Sequence, residues 1–348
     1  MGKINLFMLF LIAPFIGLFV VGFEFQDESQ YFKFPITVLE EGSDQLYDDV
    51  GKLEKSITAM GLTIENQKEV FQVQDEQISE LSKLSDSHRK LSDDIYEQKI
   101  LDMLGPAVKA HISNRTEIKI FKLAELGYRG FIAKIKLFDP TAFKVVLGKD
   151  QLGKLETTSS AAKRTNAILA INAGGFYTEK RNGKTYAQLI GNTVINGKLV
   201  EPFNGYPGDL FFTGINKKGQ VIGTVPHSEN DIMKLDPYQG VSFSPVLLEN
   251  GQKIEIPKKW KKTRHPRTII GKYANDDLIV IVIDGRRDNW SIGISLERLQ
   301  DKLLELGVKD AYNLDGGGSS AMYYEGKILN KPSDRRERPV VNNIVIMP

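Results

Sequence analysis

The chain has 348 residues, 41% of them hydrophobic and 26% charged, which is enough apolar material to bury a sizeable core and argues against disorder. Its formal net charge is only +2, with acidic and basic residues interspersed, and this excludes the broad cationic surface that nucleic-acid binding draws on. There is no cysteine, so thiol nucleophiles, disulfides and cysteine-ligated zinc are excluded together.

Residues 4–23 carry no charge and match the roughly 20 apolar residues that cross a bilayer as a helix. Pro14, Gly17 and Gly22 would weaken a soluble helix but are tolerated in lipid. The run is long for the apolar part of a signal peptide, and residues 22–25 lack a small-x-small cleavage site, so residues 1–25 read as a signal anchor. Lys3 precedes the span, whereas Glu24, Asp27 and Glu28 follow it. The positive-inside rule then makes this a single-pass protein of the cell membrane with its C-terminal part outside the cytoplasm.

After a connector over 26–43, residues 44–104 read as helix. Apolar residues recur in steps of four and three at Leu46, Val50, Leu53, Ile57, Met60 and Ile64, then at Phe71, Ile78 and Leu81, which is a heptad seam. Gln67 and Gln74 interrupt it, and it restarts from Leu84 through His88, Leu91 and Ile95 after two successive steps of three. The seam fits a coiled-coil stalk that joins copies of the chain into a homo-oligomer. It equally fits one arm of an intramolecular hairpin bending near Gly61. Gly105-Pro106 ends the helix and opens a linker over 105–114.

From Arg115 to Pro348 the pattern changes to short β-type runs bounded by Gly, Asn, Asp or Pro, among them 116–123, 131–138, 143–147, 167–171, 210–215 and 278–283. Two helices are expected, over 157–164 and over 295–306, where Leu296, Leu299, Leu303, Leu304 and Leu306 form an apolar face and Gly307 a stop. The expected fold is therefore an α+β domain on a mixed sheet, preceded by the membrane helix and the stalk.

Three segments of this domain place polar groups where apolar strands stop. They are Asn172-Ala-Gly174-Gly175, Asp284-Gly-Arg286 and Asn313-Leu-Asp315-Gly316-Gly317-Gly318-Ser319-Ser320. Consecutive glycines let backbone N–H groups approach an oxyanion, and Ser319 and Ser320 add hydroxyls. The same residues can also form a tight strand-to-helix turn capped by Asp315 or Ser319. Arg267, before another β-type run, supplies forked donors suited to phosphate, or else a surface ion pair. The histidines, His88, His111, His227 and His265, show no HExxH or paired spacing, and no GxSxG accompanies Ser319, which disfavours zinc and serine hydrolases.

These segments, with Arg267-Thr-Ile-Ile-Gly271 and Asn330-Lys-Pro-Ser333 leading to Arg338-Pro-Val, resemble the phosphodiester glycosidase family in order and spacing across 115–348. Two departures stand out: Ala173 replaces the first glycine of the family's NGG, and the cysteine-stabilised additions of animal members are missing. The resemblance implies hydrolysis of a sugar linked through its anomeric carbon to a phosphodiester, and the expected location outside the cytoplasm points to one in a cell-envelope glycopolymer such as a teichoic acid or exopolysaccharide. It implies Arg267, the amides of Gly316, Gly317 and Gly318, and Ser319 or Ser320 on the phosphate, and Asp315 and Asp284 as the carboxylates at the sugar carbon. Asn172, Gly174, Gly175, Asn313, Arg286 and Arg338 complete the expected substrate site, although the two arginines could instead pair with acids. No cofactor is required by this reading, and Asp315 could instead help to hold a divalent cation. The competing readings are a non-catalytic glycopolymer-binding scaffold and a phosphodiesterase that breaks the other P–O bond.

Overall fold

The structure, a computed structural model, describes residues 36–348 except 182, 206, 207 and 209. The expected membrane span at 4–23 lies outside the described residues, and among those described no helix is long and apolar enough to cross a membrane. The chain divides into two compact units, Met1–Lys83 and Leu84–Pro348.

Every described residue of the first unit is helical, within the 69-residue helix Ile36–Leu104. The helix runs through Gly61 without a bend, which removes the hairpin alternative, and residues 36–43, expected as connector, are its first turns. Val50, Leu53, Ile57, Met60, Ile64 and Phe71 are 57–67% exposed, so the apolar seam is uncovered.

In the second unit the helix ends at Gly105, whose φ of 76° and amide bond to Leu101 O (2.8 Å) make a left-handed stop. Its last turns belong to the globular core. Ile95, read as a seam residue, is exposed, whereas Ile100 is completely buried and Tyr96 packs on Tyr273 with ring centroids 4.9 Å apart. The expected linker 105–114 contains the strand Lys109–Ile112, paired with Thr116–Glu125.

Three larger sheets and a hairpin form this unit. An eight-stranded sheet has the order Lys109–Ile112, Thr116–Glu125, Tyr128–Leu137, Leu278–Ile283, Arg267–Lys272, Asp310–Leu314, Val246–Glu249, Gln252–Lys253. One five-stranded sheet is centred on Leu169–Asn172, between Met322–Tyr324 and Asn342–Ile346, and another on Pro237–Phe243, between Phe211–Asn216 and Val194–Ile195. The strands Phe176–Arg181 and Lys184–Leu189 form a separate hairpin. Every pairing among the described strands is antiparallel, so the sheets are not mixed as expected. The physical reason lies in the connections: a parallel pair needs a long crossover, usually a helix, and this domain has few helices to supply one.

The LIVIVI run at 278–283 shows how sequence sets the layers. All six side chains are buried, but with the two-residue period of a strand they serve different cores. Leu278, Val280 and Val282 face the core shared with Ile171, Val241 and Ile344, while Ile279, Ile281 and Ile283 face Ile100, Leu299 and Leu303. An uninterrupted apolar strand thus reports a sheet covered on both faces. The helix Leu296–Glu305 covers the second face with Leu296, Leu299 and Leu303, starts on the Ser295 hydroxyl and stops at Gly307 (φ 79°).

Because Ile100 is fully enclosed, Ile100→Ala should destabilise the domain by about 2–4 kcal/mol. Ile57→Ala, at an exposed site, should leave the domain's own transition in place. Denaturant unfolding of the full chain, followed through β-sheet circular dichroism, checks both.

Candidate active site

Strand register gathers Arg267, Asp284 and Asp315 at the ends of three neighbouring interior strands of the large sheet. Arg267 opens its strand opposite Ile283, and Thr268 lies opposite Leu314, so the chain leaves the sheet into Asp284 and Asp315 on either side of Arg267. From the neighbouring sheet Asn172 ends its strand opposite Asn343.

Asn172 fastens these ends together. Completely buried, it accepts hydrogen bonds at Oδ1 from Thr268 Oγ1 (2.8 Å) and Ala321 N (3.1 Å), and donates from Nδ2 to Asp315 O (2.6 Å). The Asp315 amide returns a bond to Ala173 O (2.9 Å). Asn172 is therefore a positioning residue rather than the substrate contact expected. Ala173 departs from the family's glycine without cost, since its methyl is buried in the core. Gly174 and Gly175 are likewise committed to the fold, their amides donating to Asn342 Oδ1 (2.8 Å) and Ser242 O (3.3 Å). Asn313, 1% exposed, donates to Ser244 O (2.7 Å), while its Oδ1 is buried without a partner.

The two acids have separate fates. Asp284 is 1% exposed, and its carboxylate accepts from Trp290 Nε1 (2.7 Å), Asn330 Nδ2 (3.0 Å) and Lys331 N (2.9 Å). Burial raises its pKa against the pull of those donors. Expected at the sugar carbon, it is instead an enclosed clamp, because Trp290 and the Asn330-Lys331 turn fold over it. Asn330 also donates to Ser320 O (3.0 Å) and accepts from Met322 N (2.8 Å), coupling the clamp to the glycine loop. Asp315 is only partly enclosed. Burial pushes its carboxyl up to about 6, against the Ser319 hydroxyl, the Arg338 charge and the Gly316 amide. Ser319 Oγ lies close enough to favour the carboxylate but falls short of a formed hydrogen bond. It and Ser320 Oγ are buried polar atoms without a partner among the described residues.

The glycine loop is shaped by close approach. Gly317 has a φ of 61°, and its amide donates to Pro266 O (2.9 Å), so this N–H is not open to a ligand as expected. A side-chain carbon at Gly318 would stand 2.1 Å from Arg338 Nη2, and one at Gly317 would stand 3.2 Å from Arg286 Nη2. Gly316 is held by the Pro266 carbonyl, 2.8 Å from where a side-chain carbon would stand, Gly317 by its positive φ, and Gly318 leaves room for the Arg338 guanidinium. Arg338 is 44% exposed and paired with Asp334 (2.8 Å), while Arg286 is exposed and 3.4 Å from His265 Nδ1. Burial, then the charges of Arg267 and Arg286, lower the pKa of His265 and favour the neutral ring. Arg267 is 3% exposed and donates to Thr263 O (3.0 Å) and Ile294 O (3.4 Å), its pKa drawn down to about 10 by burial and by Arg286. It braces the loops from inside and is not presented to a phosphate as expected.

The accessible chemistry is therefore Asp315, with Arg286, Arg338 and the Asp334 carboxylate that pairs with Arg338 against the glycines that follow it. Among the described residues no group of three or more His, Asp or Glu is arranged to hold a metal ion. Sequence reading missed Thr268, Trp290, Asn330 and Asn342 as positioning residues. Asn330 stood in a segment singled out by resemblance, but nothing local reveals that its partner lies 46 residues away.

The Asp315 shift has a consequence for stability. With its folded pKa above the ordinary 3.8, the native state keeps the proton up to about 6 while the unfolded chain releases it near 4. Native stability should therefore fall as pH rises from about 4 to about 6. Asp315→Asn should remove this penalty and stabilise the domain on the order of 1–2 kcal/mol at pH 7.5, after allowing for partial exposure, with no gain at pH 4. Melting temperatures of both proteins across that range check the sign.

A family model described as phosphodiester glycosidase matches residues 165–347. The SPbeta prophage-derived uncharacterized protein YomE of Bacillus subtilis is 31% identical over 199 residues, which are 55% of this chain and 29% of that protein. The mouse N-acetylglucosamine-1-phosphodiester alpha-N-acetylglucosaminidase is 27% identical over 250 residues, 66% of this chain and 46% of the relative. The chain thus spans less than half the length of these curated relatives. The solved catalytic domain of the zebrafish N-acetylglucosamine-1-phosphodiester alpha-N-acetylglucosaminidase, auto-inhibited by its pro-peptide, superposes with a TM-score of 0.55 at 25% identity, covering 70% of this chain and 87% of that one. On the match to its C-terminal half and the mainly-sheet domain that carries it, the chain belongs to the phosphodiester glycosidase family.

Proposed function

We propose that the Leu84–Pro348 unit hydrolyses glycosyl phosphodiesters by breaking the bond between the anomeric carbon and the phosphate oxygen. The observation that carries this reading is Asp315, a partly exposed carboxyl that burial pushes up to about 6, at the head of a glycine loop against which Arg286 and Arg338 lie. As the C1–O bond breaks, its electron pair stays with the phosphate oxygen, and the phosphomonoester formed is a stable anion that needs little proton donation. Cations suffice on that side, and Arg286 and Arg338 supply them. The sugar carbon, gaining positive character, needs one carboxylate, either to attack it or to take the proton of the attacking water. Asp315 serves in its ionised form in both cases. Asp284 and Arg267 keep the loops in place from inside.

The catalytic reading gains over a binding scaffold from that pKa, since a binding site gains nothing by enclosing a carboxyl near 6. Asp315→Asn should lower kcat by orders of magnitude on any glycosyl phosphodiester that the wild type cleaves, without loss of folded protein. The wild-type kcat/KM should fall as pH drops through about 6. Release of free sugar and a phosphomonoester from a panel of such substrates supports the assignment. Release of a sugar phosphate would make the protein a phosphodiesterase, and no turnover of the whole panel would favour the scaffold.

We place the enzyme outside the cytoplasm, anchored by residues 4–23, acting on an envelope glycopolymer and joined to further copies through the helix. The uncharged N-terminal run, Lys3 before it and the acids after it support the anchor and its direction. The uncovered seam from Val50 to Phe71 supports association, because such a stripe is stable in water only when another apolar face covers it. Protease added to intact cells should remove the C-terminal unit; complete protection would overturn the topology, and a mature N-terminus near residue 25 would overturn the anchor.

A further inference from the structure

Beside Asp315 the second unit carries a run of unpaired cations that leads away from the site. It begins at Arg286, against Gly317. The Arg286 amide donates to Ile292 O (3.1 Å) and the Ile292 amide to Gly127 O (2.9 Å), which brings the 286–292 turn onto the tip of the hairpin formed by Thr116–Glu125 and Tyr128–Leu137. There the Arg264 guanidinium lies over Gly127, 3.6 Å from where a side-chain carbon would stand. Arg129, on the same tip, has its guanidinium carbon 4.6 Å from the centre of the Trp290 ring, and Lys331 Nζ lies 3.5 Å from the same ring centre.

None of Arg129, Arg264, Arg286, Arg287 and Lys331 has a carboxylate within ion-pair distance among the described residues, and all but Arg287 are exposed. The acids in the same segments are mostly spent elsewhere: Asp284 is enclosed beneath Trp290, Glu125 pairs with Lys302, and Asp334 pairs with Arg338. Asp288 is exposed, and the exposed Asp334 also feels the Arg286 charge, so two acids stand near five cations. Surface charges in a folded protein ordinarily alternate in sign, so a one-sign row running into a reaction site is an electrostatic track for an extended partner of the opposite sign. The cations over Trp290 are also fixed in place, because Trp290 Nε1 and the Lys331 amide both donate to the buried Asp284 carboxylate.

We propose that this track is a second anion-binding subsite and that the substrate is a polyanionic chain of repeating phosphodiesters, one unit at Asp315 and the next along Arg129, Trp290 and Lys331. The proposal rests on the hydrolase reading for its first unit, but a single small phosphodiester would leave the outer cations without a partner.

The test uses the full chain and two probes. Calorimetric titration with a short inorganic polyphosphate should show binding that weakens steeply with salt, as release of many counterions demands. Arg129→Glu with Lys331→Glu should weaken it about tenfold or more. Reversal of Lys198 and Lys218, exposed on the other five-stranded sheet, should change it little. Equal loss in both pairs, or none in the first, overturns the track. The second probe is a glycosyl phosphodiester with one phosphate: the first pair should retain wild-type kcat/KM on it, and a matching loss there would make those cations part of the reaction site and overturn the separate subsite. Arg129→Gln and Lys331→Gln, which remove charge without adding it, serve if the reversed pair does not fold. Should the wild type cleave no single-phosphate substrate while polyphosphate binding still depends on the pair, the hydrolase reading fails and the track stands.

Discussion

One buried side chain holds the site in register. Asn172 ends a strand of one sheet, yet its amide accepts from Thr268 on a second sheet and from the Ala321 amide, and donates to the Asp315 carbonyl. Sheets packed face to face meet through apolar side chains, which fix spacing but resist sliding poorly. A hydrogen-bonded amide at the junction sets the angle at which Asp315 leaves its strand. Removing it would strand two donors and one acceptor in the interior at about 1–3 kcal/mol each, and the first effect would be a displaced carboxyl. The direction in which Asp315 leaves its strand is thus a property of the junction between sheets, and in this chain Asn172 and the glycines after it are committed to that junction.

What could be read in the sequence follows from which forces are local. Leu278–Ile283, Phe143–Leu147 and the helix Leu296–Glu305 were legible because apolar periodicity, a serine cap and a terminal glycine act within a few residues. The convergence of the 172, 284 and 315 segments was legible from polar groups where strands stop. The arrangement of the strands was not, since an antiparallel and a mixed sheet share the same run lengths. The last turns of the long helix were misread for a related reason: Ile95 continues the heptad pattern and is exposed, whereas Tyr96 and Ile100 lie off that seam and enter the core. A heptad describes one face of a helix and says nothing of a second face that tertiary packing recruits.

Charge illustrates the same limit at larger scale. A net charge of +2 excludes a uniformly basic protein, and the composition holds nearly equal numbers of acids and bases. Yet the fold spends its acids unevenly. Glu156 is enclosed with Arg164 and Asp277 with Lys134, and Glu125 is spent on the buried Lys302, while Arg129, Arg264 and Lys331 reach the surface without ion-pair partners among the described residues. Local field depends on that distribution and not on the sum.

The two aspartates that end neighbouring strands show how one residue type is given two tasks. Each is pushed toward the neutral form by enclosure. At Asp284 this push is opposed by three N–H donors on its two oxygens, and the side chains and turn that supply them enclose it. Asp315 receives less: a nearby hydroxyl, one amide and the distant charge of Arg338. Its carboxyl therefore keeps much of the free energy that enclosure imposes, and on the proposed hydrolase reading bond formation at a sugar carbon, or acceptance of water's proton, relieves it. Raising the pKa of a carboxylate in this way makes it a better base and nucleophile while leaving it mostly ionised above about 6. The two acids are also coupled, for the Asn330 side chain that holds Asp284 also holds the Ser320 carbonyl at the end of the glycine loop on which Asp315 sits.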